Sequence, residues 1–320
     1  MKAAVLHRFG APLVLEERPR PRARGEEVLV RVRAAGVCGT DLHLMDGTVP
    51  DLPLPRVLGH EIAGEAEGLG DVLVYASWGC GRCEWCLRGE ENLCALAAEP
   101  GWRRDGGYAE YVVVPSPRYL FSLRGLDPVR AAPLADAGVT SYRAVRRVVP
   151  LLTDRSSTAV VIGAGGLGQF AVQYIKLFTN ARVVVIEPSE LRRRLARRLG
   201  ADDVLPSVSR DVRELGAAVL DFVGTDVTLA MSVALVRRGG TVVQVGEAGG
   251  RVYFGLGLVP HEAALTTSIW GSARDLQSVL DLAWSGLLRW DVEPLPLDDV
   301  NQALDRLRGG SVRGRLVITP

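Results

Sequence analysis

Lysine is nearly missing from this 320-residue chain. Lys2 and Lys176 are the only two, and arginine supplies the rest of the 38 basic residues. The 37 acidic residues reduce the formal charge to +1, so there is no overall basic field to draw the chain to nucleic acid or to an anionic membrane. No apolar run is suited to a bilayer: the best candidate, residues 158–178, is broken by glycines and carries Gln169, Gln173 and Lys176. The start, Met1 to Arg8, has no long apolar signal region, and the expected location is the cytoplasm. Cysteine is scarce as well. Five is an odd number, which argues against a fully paired disulfide framework. What is present, 48% hydrophobic and 23% charged residues, suits a globular chain of about two domains.

The texture changes along the chain. Up to about residue 145 it reads as short strands, such as Glu27–Val32 and Tyr108–Val114, separated by loops rich in glycine, proline and cysteine. From Thr158 onward, strands and helices alternate. Residues 158–163, 182–187, 217–223 and 240–246 are continuous apolar runs, the pattern of parallel strands covered on both faces. A helix begins near Gly165, and another over 190–199 places Leu191, Leu195 and Leu199 on one face. Near the end, 298–307 reads as a helix and 315–318 as a strand. The expected architecture is α/β: a doubly wound parallel sheet over 146–290, inserted in a β-rich domain made of 1–145 and 291–320.

Gly163, Gly165, Gly166, Leu167 and Gly168 form a G-x-G-x-x-G turn that follows an apolar strand and opens a helix, the context that a dinucleotide fingerprint requires. The glycines allow the tight turn and a close backbone approach to a pyrophosphate. Glu187 ends the next strand about twenty residues on, where an acid accepts from the adenosine ribose hydroxyls and repels a 2′-phosphate. NAD is therefore preferred over NADP. Arg192 and Arg193 stand close enough to welcome a phosphate, although a solvated helix face accounts for Arg193 and Arg194.

Cys80, Cys83, Cys86 and Cys94 are spaced C-x2-C-x2-C-x7-C, which bends a loop around one tetrahedral ion and points to a closed zinc site. An iron–sulfur cluster of ferredoxin type calls for a gap of three and a following proline, whereas Ala95 follows here. A nucleic-acid-binding zinc module would need a basic face, yet Arg82 and Arg88 are offset by Glu84, Glu90 and Glu91. The fifth cysteine lies in Gly36-Val37-Cys38-Gly39-Thr40-Asp41-Leu42-His43, with Gly59-His60-Glu61 downstream. Alone, Cys38 reads as a buried small hydrophobe and His60 as a satisfied loop histidine.

Taken together, these segments resemble the zinc-dependent medium-chain alcohol dehydrogenases. Residues 105–111 (DGGYAEY), 133–140 (PLADAGVT), 221–224 (DFVG) and 310–315 (GSVRGR) extend the likeness over nearly the whole chain. Asp136 and the SVRGR ending look most like bacterial NAD-dependent secondary-alcohol dehydrogenases. The resemblance implies a GroES-like catalytic domain around a Rossmann domain, and reversible hydride transfer between an alcohol and NAD. It implies two zinc ions, with Cys38, His60 and Asp136 as catalytic ligands and Glu61 as an occasional fourth. Asp41 would orient the histidine, and Thr40 and His43 would relay the proton. Arg313 would lie near the cofactor pyrophosphate, while Trp78, Ile269 and Trp270 would line the substrate pocket. A homo-oligomer, tetramer over dimer, is expected. The stretches 64–71 and 210–217 are shorter than the family pattern. Without the resemblance, Asp136 reads as a helix N-cap, and a nucleotide-sensing or scaffold protein is the alternative outside enzymes.

Overall fold

The computed structural model describes residues 1–49, 52–209 and 211–320. Two compact units emerge, one made of Met1–Val139, Gly271–Leu287 and Asp291–Pro320, the other of Thr140–Trp270 and Leu288–Trp290. The helix Ala273–Trp284, expected within the nucleotide-binding part at 146–290, groups instead with the first unit. Two bonds tie it there. The Tyr75 hydroxyl donates to the Gly271 carbonyl at 2.7 Å just ahead of the helix, and Trp284 Nε1 donates to the Leu123 carbonyl at 2.8 Å. A reciprocal cap between Ser272 and Asp275 starts the helix, and Leu276, Val279, Leu280 and Ala283 form its buried face.

In the first unit a seven-stranded sheet carries the site-bearing segments. Its strand Val28–Gly36 outruns the expected 27–32: exposed and buried residues alternate at first, then Ala34, Ala35 and Gly36 are all buried. That burial lets the strand pair with Glu61–Ala66 along its length, ending with Gly36 opposite Glu61. Glu61–Ala66 then folds back on Gly70–Val74 with Ala66 opposite Gly70, so the short 64–71 stretch closes a tight hairpin.

The second unit holds six parallel strands: Thr158–Ile162, Arg182–Ile186, Asp203–Leu205, Gly216–Asp221, Val236–Gln244 and Ala264–Thr267. Numbered along the chain, their order across the sheet is 3-2-1-4-5-6. Val160, Ile162, Val184, Ile186, Val219 and Val242 join in one core cluster. Burying each such side chain contributes about 1.5–3 kcal/mol. The strand order reverses between Thr158–Ile162 and Gly216–Asp221, and ligands of such sheets bind in the crevice at that reversal. Strand five starts at Val236, earlier than the run at 240 suggested, because Arg237, Arg238 and Gly239 interrupt its apolar pattern. Of the trimmed stretch at 210–217, Arg210 lies outside the described residues. Among the described residues no helix is long and apolar enough to cross a membrane.

Candidate active site and metal centres

Just after the strand Val28–Gly36, Cys38 caps the short helix Gly39–Met45. Its backbone N–H donates to Asp41 Oδ2 at 2.8 Å, and the same oxygen accepts from the Tyr108 hydroxyl at 2.8 Å. Asp41 Oδ1 lies 3.5 Å from His60 Nδ1. A carboxylate on one ring nitrogen leaves the other for a metal. Here His60 Nε2 lies 3.5 Å from Asp136 Oδ2, which is itself 3.2 Å from Cys38 Sγ. The ligand-type atoms of Cys38, His60 and Asp136 all lie within 4.8 Å of one another, and all three residues are buried. Burial opposes charge on His60, but the Asp41 charge and the hydrogen bonds the ring makes to Asp136, Asp41 and Cys38 raise its pKa well above the usual value. A thiol, an imidazole and a carboxylate brought together in this way are a donor set that suits a divalent cation once deprotonated. Thr40 Oγ1 is 3.8 Å from Cys38 Sγ, and His43 follows on the same helix.

Sequence reasoning passed over Arg315. Nearly fully buried, it donates from Nε to Glu61 Oε2 at 2.9 Å and from Nη2 to Glu61 Oε1 at 2.5 Å. The same Nη2 reaches Asp136 Oδ2 at 3.2 Å. Glu61 is also fully buried and accepts from the Ala137 N–H at 3.1 Å. Desolvation pushes its carboxyl up to about 7, with Asp136 adding to the rise and Arg315 opposing it. A methyl group at Gly36 would stand 1.7 Å from Glu61 Oε2, so the glycine makes room for this carboxylate. The signal was present in the sequence: an arginine opening the otherwise apolar strand Arg315–Thr319 must find a partner.

Cys80, Cys83, Cys86 and Cys94 converge in the same unit, their sulfurs within 4.8 Å of one another. Cys83 and Cys86 are 3.5 Å apart and Cys80 and Cys86 4.0 Å. Disulfide sulfurs stand about 2.05 Å apart, whereas a tetrahedral zinc with bonds of about 2.3 Å sets its sulfurs about 3.8 Å apart. Backbone N–H groups of Arg82 and Cys83 pull the Cys80 thiol down to about 6, while burial pushes Cys86 up to about 12. The donor set therefore fits a divalent, thiophilic ion that ionises all four.

In the second unit Gly163 adopts φ +85°, and a Cβ on Gly168 would stand 1.9 Å from the Gly163 carbonyl oxygen. A Cβ on Gly165 would meet only Arg192, at 3.9 Å, which leaves an open cradle suited to a pyrophosphate. Gly166 and Leu167 carry the turn into the helix Gly168–Phe178. Glu187 is buried and already occupied: Oε2 accepts from the Ala164 N–H at 2.8 Å and Oε1 from the Ser189 N–H at 2.9 Å. It thus braces the glycine turn, a second task that spacing alone did not reveal. Arg193 donates to the Glu187 and Pro188 carbonyls and to Glu190, so it is less free than a solvated face implies. Glu187→Ala is accordingly expected to weaken NADH binding about tenfold or more by loosening the turn. The NAD-to-NADP preference should narrow as well, because the change also removes a ribose acceptor and a charge that repels a 2′-phosphate. Titrating both cofactors against both proteins checks this.

The remaining expected residues are more scattered. Half-exposed Arg313 pairs with Asp291 at 3.2 Å. Trp78 is buried against Tyr119, its Nε1 donating to the Tyr75 carbonyl at 2.7 Å. Ile269 is exposed, and Trp270 is buried with a left-handed φ of 50°, strained for so large a side chain.

Known proteins match the chain over nearly all of its length. The family model "Alcohol dehydrogenase GroES-like domain" matches residues 24–124 and "Zinc-binding dehydrogenase" matches 166–285. The D-arabinose 1-dehydrogenase (NADP(+)) of Saccharolobus solfataricus is 38% identical, the alignment covering 100% of this chain and 97% of that protein. A NAD-dependent alcohol dehydrogenase of Sulfolobus acidocaldarius is 38% identical, with 99% of each chain covered. Among solved structures, the alcohol dehydrogenase of the hyperthermophilic archaeon Aeropyrum pernix superposes with a TM-score of 0.93 at 34% identity, covering 100% of both chains.

Proposed function

Because this chain belongs to the family of zinc-binding alcohol dehydrogenases with a GroES-like domain, we propose that it oxidises a secondary or primary alcohol with NAD. The products are a ketone or aldehyde and NADH, and the reaction is reversible. The observation that carries this reading is the buried Cys38–His60–Asp136 set, three ligands of three chemical types. These residues would hold a catalytic zinc, and Cys80, Cys83, Cys86 and Cys94 a structural one, giving two per chain. When bound, zinc supplies a Lewis acid for the alcohol oxygen and NAD the hydride acceptor.

The chain's own residues do the rest. Asp41, itself held by Tyr108 and the Cys38 N–H, fixes the His60 ring. Arg315 holds Glu61 behind the ligand set and steadies the ligand Asp136 from the same side chain. The Thr40 hydroxyl can accept and donate at one atom, so it takes the alcohol proton and passes it outward towards His43. Gly163, Gly165, Gly166, Leu167 and Gly168 seat the pyrophosphate, and Glu187 shapes the turn and favours NAD. The family resemblance would give Arg192 and Arg313 a role at the cofactor phosphates, and Trp78, Ile269 and Trp270 a role towards the substrate.

The working form is a cytoplasmic homo-oligomer, tetramer over dimer. Five unbridged cysteines suit a reducing compartment. Tyr253, Phe254, Leu256 and Leu258 are exposed in the segment that leads into the edge strand Ala264–Thr267, and apolar side chains so exposed suit burial against another copy. The 38% identity to a D-arabinose dehydrogenase favours a sugar as the second reading of the substrate. Absorbance of NADH with a panel of secondary and primary alcohols and D-arabinose, run with both cofactors, decides among these. Absence of turnover with every substrate would defeat the enzyme reading.

A further inference from the structure

Arg118 has no part in the reaction as described so far, yet it reaches the cysteine site from outside the loop that forms it. It lies in the turn Pro117–Tyr119, just ahead of the sheet strand Leu120–Ser122. Its Nη2 donates to the Gly79 carbonyl at 3.1 Å and to the Tyr119 hydroxyl. Tyr119 is buried, donates from that hydroxyl to the same carbonyl at 2.8 Å, and holds its ring centre 4.6 Å from the guanidinium carbon. On the other side of Cys80, a Cβ at Gly81 would stand 3.2 Å from Arg118 Nη1. The guanidinium therefore lies against both chain neighbours of Cys80. Gly79 leads on to a second ligand, because a Cβ there would stand 2.6 Å from Cys86 Sγ.

Charge gives a cation at this place a task. Thiolates from all four cysteines more than cancel a divalent ion, so the filled site is an anion. The loop adds to the excess, since Glu84, Glu90 and Glu91 outnumber Arg82 and Arg88. Arg88 pairs with Glu84 at 3.7 Å, and Arg82 offers Cys80 its backbone N–H. Burial opposes the charge of Arg118, whereas the Tyr119 hydroxyl, Glu91 and Cys86 favour it. A planar guanidinium stays ionised while its fork bonds a carbonyl and a hydroxyl together.

We propose that Arg118 is the counter-charge of the cysteine site, offsetting the negative excess of a metal held by Cys80, Cys83, Cys86 and Cys94 and so slowing its loss. This rests on the reading of those cysteines as a zinc site. The rival role is a brace, in which the bond to the Gly79 carbonyl matters and the charge does not. Salt separates the two roles. Attraction at an exposed guanidinium fades as the Debye length shrinks from about 30 Å at about 10 mM salt to about 3 Å at about 1 M. A hydrogen bond to a backbone carbonyl is not screened in this way.

The test is transfer of zinc from the intact protein to excess pyridylazoresorcinol, followed by the colour of the chelate. The phase that persists in His60→Ala reports the cysteine site. Its absence would defeat the zinc reading of the cysteines and this proposal with it. Arg118→Met keeps much of the length but not the charge, and should release that zinc about tenfold faster at about 10 mM salt. At about 1 M salt the gap should close to within about twofold. Arg118→Lys restores a cation and should stay within about threefold of the unaltered protein. Tyr119→Phe removes the other donor to Gly79 but leaves the charge, and should stay within about threefold too. Unchanged release by Arg118→Met would overturn the assignment. So would an acceleration that persists at high salt, or a Lys or Phe variant as fast as the Met one, each the mark of a brace.

Discussion

Thr40→Val is expected to lower kcat by about a hundredfold or more, the scale of a lost proton-transfer group, while zinc content and NADH affinity stay near their original values. Valine has nearly the shape of threonine but can neither accept nor donate a proton. Thr40 Oγ1 lies 3.8 Å from Cys38 Sγ, beside the ligand set and not in it, which is why the metal should survive the change. His43→Gln should cost less, about tenfold, because solvent can replace the outer member of a relay. Steady-state kinetics with metal analysis on the same samples separates the effects. A Thr40→Val protein that lost zinc in step with activity would make Thr40 a brace for the Cys38 loop.

The second large effect concerns stability. Cys94→Ser removes one of four thiolates from a closed site, and Cys94 Sγ also accepts from the Cys80 N–H at 3.4 Å. Binding free energy at a structural zinc is folding free energy. A loss of about 3–5 kcal/mol would lower Tm by about 10 °C in a chain of this size. Activity of the variant at low temperature should be largely kept, since Cys38, His60 and Asp136 form a separate set. Thermal melts of both proteins, with and without a chelator, test this: added chelator should bring the unaltered protein close to the variant.

Sequence legibility followed how local each signal was. The cysteine knuckle and the glycine turn depend on neighbours in the chain, and their spacing alone was enough to foresee the convergence now seen. The strands at 158–162, 182–186 and 216–221 were legible because strands buried on both faces are unbroken apolar runs. Ala264–Thr267 was not, since four residues with two threonines at a sheet edge carry no such run. The Cys38, His60 and Asp136 set spans distant segments and was read through a resemblance, not from spacing. The family likeness marks Arg313, whereas the arginine in the site is Arg315, two positions later. Which of the two arginines turns inward depends on the register of the final strand against Val28–Gly36, a tertiary fact. Glu187 is legible as an acid at a strand end, but its bonds to Ala164 and Ser189 need the folded turn to exist.

The central claim, an open catalytic zinc site apart from a closed structural one, is tested most directly by metal analysis of the unaltered protein beside His60→Ala. Two zinc ions per chain are expected in the first and one in the second, with the cysteine set still filled and the melting temperature changed little. A single zinc in the unaltered protein, or two retained after His60 is removed, would contradict it.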